Sequence, residues 1–457
     1  MEEQRQQILN GNVRSLLFKF STPAVVGMLV SALYNMVDTL FVGRGIGPLA
    51  IAALTIVMPM QLIMMAIGIM TGIGSASVIS RALGSNEKEK ALKTASNGVA
   101  LNLIISIVFM IPAYLFINKI LYFFGASIDT YQYARDYMVI ILIGFVSFSF
   151  AIMANNLIRA EGKPRAAMYS MLIGAVCNII LDAIFIFIFK MGVKGAALAT
   201  VLSQVISAVF VICFFASSKS IYKLNFKLFK LDALISKEIL LIGFPSFGMQ
   251  IAGSAIFLLF NRSILHYGND MYLAVMGIGL RILNFIEMPI IGIAQGFSTL
   301  ASFNFGAKFY ERIKIVFKEA VLWTVIIAGT GFILLMVIPG KILNIFTSDI
   351  SLINLGILPM RIIVSMLPFI GFQILGGSLF QAIGKTIPSL IIILSRQLLL
   401  LMPAILILPM FLGLTGIWLS VPVSNFISIL ITMAYVWRQS GKFNEMIKLR
   451  EAAQISK

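Results

Sequence analysis

The run GVKGAALATVLSQVISAVFVICFFAS, residues 192–217, decides what kind of molecule this chain is. From Gly195 to Ser217 it holds no charged residue. Wound as a helix those residues span about 34 Å, slightly more than the ~30 Å hydrocarbon core of a bilayer. Apolar and polar residues do not alternate along it, as they would in the strand of a membrane barrel. The run also has a copy. Gly192-x-x-Gly195-x-x-Leu198, with Ser203, Ile206 and Ser207 following, returns as Gly413-x-x-Gly416-x-x-Leu419 with Ser424, Ile427 and Ser428, 221 residues later.

Outward from this stretch the same texture holds. Of 457 residues 60% are hydrophobic and 12% charged, about half the charge of an average soluble domain. Apolar runs recur from Leu16 to Trp437, and only bundled helices satisfy their backbone amides in lipid. The sequence predicts twelve transmembrane helices, at 15–43, 48–80, 94–118, 131–158, 166–189, 195–217, 238–265, 271–304, 319–339, 353–381, 387–411 and 414–437. The first run lacks a small-residue cleavage site and is expected to stay as helix 1 rather than be removed as a signal peptide. Cys177 and Cys213 lie inside spans and read as small core residues, not as a disulfide or metal site.

The net charge of +17 is a topology signal. With the N-terminus inside, 25 of the 35 Lys and Arg residues fall on inside segments and six on outside loops. This positive-inside bias places both termini in the cytoplasm, and a prokaryotic inner membrane is the expected location. No nucleic-acid partner is needed to explain it, and no Walker motif points to ATP hydrolysis. No catalytic motif is present, so an enzyme is not expected.

Two further motifs repeat in order. Ile67-Gly68-Ile69-x-x-Gly72 returns at Ile291–Gly296, offset 224, and Leu157-x-x-Ala160-x-Gly162-Lys163 at Leu379–Lys385, offset 222. Six spans separate the copies, so the halves share one orientation about an axis along the membrane normal. The expected organisation is an N-terminal six-helix lobe at 1–218, a basic linker at 219–237 and a C-terminal lobe at 238–457. Tandem lobes of this kind suit a carrier, in which one lobe rocks against the other.

Three acids lie well inside spans, Asp38, Asp182 and Glu287, and each calls for a partner or a role. Counted at 1.5 Å per residue, Asp38, Asp182 and Thr200 lie roughly 8–12 Å below the outer boundary. Asn178 precedes Asp182 by one helical turn and shares its face. Such oxygens suit a hard cation such as Na⁺, and a close carboxylate pair can equally take a proton. A buried polar network joining helices 1, 5 and 6 is the alternative. The repeat maps Asp38 to Arg262, Asn178 and Asp182 to Leu400 and Ala404, and Thr200 to Val421. The polar groups therefore belong to one half only. Glu287 lies near the midplane, facing a central cavity or paired with Arg281 or Arg361. Pro23, Pro245 and Pro289 are candidate bends. Met58, Met60, Met64, Met65 and Met70 form either an adaptable ligand surface or packing. His266 is expected at an outer interface.

These residues resemble the multidrug and toxic compound extrusion (MATE) family, in its bacterial MepA-like and DinF-like branch. The resemblance is carried by YNMVDTLFVG (34–43), GIGSASVISRALG (72–84), RAEGKP (159–164), NIILD (178–182) and the Gly192–Thr200 motif. It implies an all-α membrane fold of two six-helix bundles in a V. It also implies export of amphipathic, mostly cationic drugs in exchange for Na⁺ or H⁺, with no other cofactor. By resemblance Asp38, Asn178, Asp182 and Thr200 form the cation site, and Glu287 with Tyr34, Asn155 and Met288 serves the substrate. Drugs and lipids are the expected partners, and a monomer the expected state. A flippase of lipid-linked precursors is the alternative, with Arg281, Arg361 and Arg396 as its candidate phosphate ligands.

Overall fold

The computed structural model describes residues 2–222 and 231–455. Helices follow one another throughout, and no strand occurs among the described residues. In chain order they are α1 (Glu2–Asn10), α2 (Val13–Gly45), α3 (Pro48–Gly84), α4 (Lys88–Leu115), α5 (Ile117–Phe123), α6 (Ile128–Ala160), α7 (Pro164–Asp182), α8 (Gly192–Ala216), α9 (Ala233–Tyr267), α10 (Asp270–Gly306), α11 (Tyr310–Val337), α12 (Pro339–Asn344), α13 (Ile350–Val364), α14 (Leu367–Ala382), α15 (Thr386–Leu394) and α16 (Met402–Ile455). Two π-helical turns, Ala183–Ile188 and Ser395–Leu401, continue α7 and α15.

Among the described residues ten helices are long and apolar enough to cross a membrane, and α13 with α14 makes an eleventh broken span. This is a multi-pass membrane protein. The predicted tenth helix, 353–381, is in fact bent by 44° between α13 and α14. Pro368, in the first turn of α14, cannot donate the backbone bond that would carry the helix straight through. A count of twelve requires dividing the last apolar run, Thr386–Ala452, 67 residues long. As one rod it would measure about 100 Å, some three times the hydrocarbon core. Gly413 (φ 55°, ψ −140°) interrupts it. Its repeat partner Gly192 also has positive φ, 60°, the conformation that glycine adopts without a Cβ penalty.

Several helices begin earlier than the composition suggests. α4 starts at Lys88 and α11 at Tyr310, so Lys90, Lys93, Arg312, Lys314 and Lys318 ride on helix ends instead of loops. Charged first turns remain helical because their side chains reach water beyond the apolar core. Both cysteines are free, but the expectation that they are core residues needs correction: Cys177 is half-buried and Cys213 exposed. The Met-rich stretch is mostly packing, since Met60, Met64 and Met70 are buried and only Met58 is well exposed.

The chain divides into two compact units. One comprises Met1–Arg5 and Val26–Gln250, the other Gln6–Val25 and Ile251–Lys457. The expected boundaries at 218 and 238 therefore do not coincide with the packing. The chain changes unit inside α2 and α9, a few residues after Pro23 and Pro245. Of the expected linker, residues 223–230 lie outside the described residues, while Asp232 and the start of α9 are held by the first unit: the Asp232 amide donates to Asn97 Oδ1 at 2.7 Å, and Arg81 pairs with Glu238 at 2.9 Å.

In the first unit α3 packs along α6, α6 against α8, and α7 against α8. The core centres on Met64, Leu121, Met138, Leu142 and Phe145. In the second unit α10, α11 and α14 pack on one another around Ile264, Ile290, Leu335 and Met360. Small residues let these backbones approach, as they do where lipid supplies no hydrophobic drive between helices. A Cβ on Gly292 would lie 2.7 Å from the backbone nitrogen of Val25. Gly292→Val should therefore force α10 from α2 and cost about 1–3 kcal/mol. A lowered melting temperature in detergent is the expected result, and an unchanged one would contradict this contact.

Candidate functional site

Asp38 is on α2 and Asp182 is the last α-helical residue of α7. Their carboxylates face each other at interaction distance. Asp182 and Asn178 are both almost fully buried, at 0% and 1% exposure. The two Asp182 oxygens, Asp38 Oδ1 and both polar atoms of the Asn178 amide have no hydrogen-bond partner in the protein. A buried polar atom left unpaired is costly. Four of these five atoms are oxygens, carried by side chains one helical turn apart on α7 and facing them on α2. Thr200, on α8, donates its hydroxyl to the Ala196 carbonyl at 3.0 Å and also meets Tyr137. The four residues expected to form one cluster are thus brought together in the first unit.

Three features of this site were not read from the sequence. Tyr137, on α6, is buried between Gln61 and Thr200; Gln61 Nε2 donates to its hydroxyl at 3.4 Å. Gln61 sits in a long apolar run, and Tyr137 directly follows Arg135 and Asp136 at the start of one. The third feature is the π turn that begins at Ala183, directly after Asp182. Such turns frequently mark functional positions, because the extra residue leaves the regular hydrogen-bond ladder. Tyr34, one turn before Asp38, also lies near both carboxylates.

The remaining expected substrate residues do not form one group. Asn155 belongs to a buried network at the far end of α6. Its amide donates to the Ala167 carbonyl (2.7 Å) and Ser170 Oγ (2.8 Å), and its oxygen accepts from Arg159. Glu287 and Met288 are on α10 in the second unit, both half-buried. Glu287 pairs neither with Arg281 nor with Arg361. Its partner is Arg396, at 3.8 Å, within the second π turn. Arg361 instead donates to the Met336 carbonyl at 3.1 Å. Each unit therefore has a π turn in its fifth long helix. The first unit sets an acid pair beside it and the second an ion pair. His266 is exposed at the end of α9, edge-on to Tyr267.

The profile of the MatE family matches the chain twice, at residues 23–184 and 245–406. The two matches are equal in length and displaced by 222 residues, the offset of the repeated motifs. "Multidrug export protein MepA" of Staphylococcus aureus (strain N315) is 30% identical over 443 residues, covering 95% of this chain and 96% of that protein. Among solved structures, an outward-facing multidrug resistance MATE family transporter of the MOP superfamily superposes with a TM-score of 0.90 at 26% identity, covering 96% of this chain and 98% of that one. The MATE multidrug transporter DinF-BH, solved as a ligand complex, is 38% identical with a TM-score of 0.87, covering 93% of this chain and 95% of that one.

Proposed function

We propose, from the premise that the chain belongs to the MatE family of multidrug and toxic compound extrusion transporters, that it is a cation-coupled exporter of amphipathic, mostly cationic drugs. The observation that carries this reading is the facing Asp38–Asp182 pair, in which Asp182 is buried and Asp38 half-buried, with Asn178 and Thr200 nearby. Two carboxylates, an amide and a hydroxyl supply enough oxygens for Na⁺, and the same pair holds a proton. Ion binding in the first unit favours one arrangement of an alternating-access cycle, and drug binding favours the other. Glu287 and Met288, both in the second unit, supply charge and contact area for the drug. The protein sits in the bacterial cell membrane with both termini in the cytoplasm, as its basic segments suggest.

The test uses purified protein in liposomes and a cationic dye such as ethidium, with Na⁺ and H⁺ gradients imposed separately. Uphill dye movement under one gradient and not the other identifies the ion. If neither gradient moves dye, while labelled lipid crosses between leaflets, the export reading fails and lipid flipping takes its place. The engagement of Arg396 by Glu287 and of Arg361 by a carbonyl weighs against a basic pyrophosphate cavity.

A further inference from the structure

The repeated motif Leu-x-x-Ala-x-Gly-Lys forms a tight turn in each unit. Gly162 and Gly384 both have positive φ, 84° and 75°. In the first unit the turn grips the chain that follows α8, and in the second it grips the C-terminal part of α16. In the second unit Lys385 Nζ donates to Gln439 Oε1 at 2.6 Å. In the first unit the grip is a carboxylate. Glu161 is 1% exposed, and its Oε2 accepts from Ser220 Oγ and from the Ile221 amide, both at 3.0 Å. Ser220 and Tyr222 are buried with it, and Tyr222 stacks edge-on against Phe215 of α8. The repeat places Ile383 where Glu161 stands, so the second unit has no carboxylate at this position.

We infer that Glu161 is a proton-operated clasp that fastens the chain leaving α8, at Ser220 and Ile221, to the turn between α6 and α7. Among the described residues, the charged and titratable groups near it are Lys163, Tyr222 and Arg159. Lys163 from its own turn favours the carboxylate. Tyr222 from the clasped chain is pushed well upward by burial and by Glu161, so it stays neutral. Arg159 on α6 is turned onto Asn155 and Asn156. Burial dominates: it raises Glu161 from 4.5 to about 7, against the opposing pull of Ile221, Ser220 and Lys163. The clasped state therefore binds the proton more tightly than a released, solvated Glu161 would. Linkage then makes the clasp firmest in acid and progressively weaker as pH rises through about 7. With the proposed topology, a more alkaline cytoplasm loosens residues 220–222 from the turn. The clasp rests on contacts within the first unit and is independent of what is transported.

Amide hydrogen exchange over residues 217–222 of the purified full chain reads the clasp directly, because the Ile221 amide is one of its donors. Expressed as protection factors, the intrinsic pH dependence of exchange divides out. Protection is expected to be about tenfold lower at pH 8 than at pH 6. Glu161→Gln, neutral throughout, should show a flat profile at the acid-side value. Ser220→Ala, which removes a donor to the charged form, should lose more protection at pH 8 than at pH 6. A flat wild-type profile, a Glu161→Gln profile that still follows the wild type, or equal losses at both pH values in Ser220→Ala would each overturn the clasp.

Discussion

Asp38→Asn and Asp182→Asn, made singly, are expected to reduce ion-driven dye accumulation by about tenfold or more while leaving dye binding measurable. The cause is electrostatic. At an effective dielectric of about 20, a unit charge 4 Å away contributes about 4 kcal/mol, far more than the ~1.4 kcal/mol that separates tenfold affinities. An amide in place of either carboxylate keeps the shape and one oxygen but removes that attraction. Asp182 is fully buried and its oxygens have no protein partner, so each single variant leaves one carboxylate of the pair to attract the ion. Thr200→Val should have a smaller effect, because a neutral hydroxyl contributes one dipole. Uphill dye accumulation that persists in Asp38→Asn would remove the acid pair from the coupling step. Dye binding and melting temperature measured on the same preparations separate lost coupling from lost folding.

The cluster was visible in the sequence because membrane insertion makes acids rare enough to count. Depth from the span ends is a one-dimensional quantity, and it placed Asp38, Asp182 and Thr200 within one layer. Azimuth around a helix is less accessible. Asn178 could be tied to Asp182 by helical spacing, but Tyr137 and Gln61 reach the same site from α6 and α3, and no spacing connects helices distant in sequence. The π turn after Asp182 was equally hidden, since AIFIFI reads as ordinary apolar helix. Glu287 shows the same limit. Its near-midplane depth followed from counting, yet its partner was sought among Arg281 and Arg361 and lies instead at Arg396. The repeat registered the shared glycines correctly: Gly162 and Gly384, and Gly192 and Gly413, take the same positive φ in pairs. It could not show that α2 and α9 each change unit partway along. That depends on packing against helices the repeat maps onto one another.

The Glu287–Arg396 pair leads to the second large prediction. Both side chains are about one-fifth exposed and 3.8 Å apart. This geometry is loose enough for a cation to compete with the guanidinium for the carboxylate. If the drug does so, Arg396→Gln frees Glu287 and should tighten binding of a monocationic dye, by roughly tenfold for about 1.4 kcal/mol of relieved competition. Glu287→Gln should weaken the same dye by a similar factor and leave a neutral substrate nearly unchanged. The double variant should bind the two dyes alike, and a coupling energy of about 0.5–3 kcal/mol between the sites is the range expected for residues in contact. A pair that only braces α10 against the π turn behaves otherwise. Both single variants would then lower the melting temperature, since each strands a charge in a low-dielectric setting, and neither would distinguish the cationic from the neutral ligand. Dye affinity and melting temperature measured together on the three variants therefore assign the pair: opposite signs for Arg396→Gln and Glu287→Gln in cationic affinity place Glu287 in drug binding, and parallel losses of stability without a charge preference remove it.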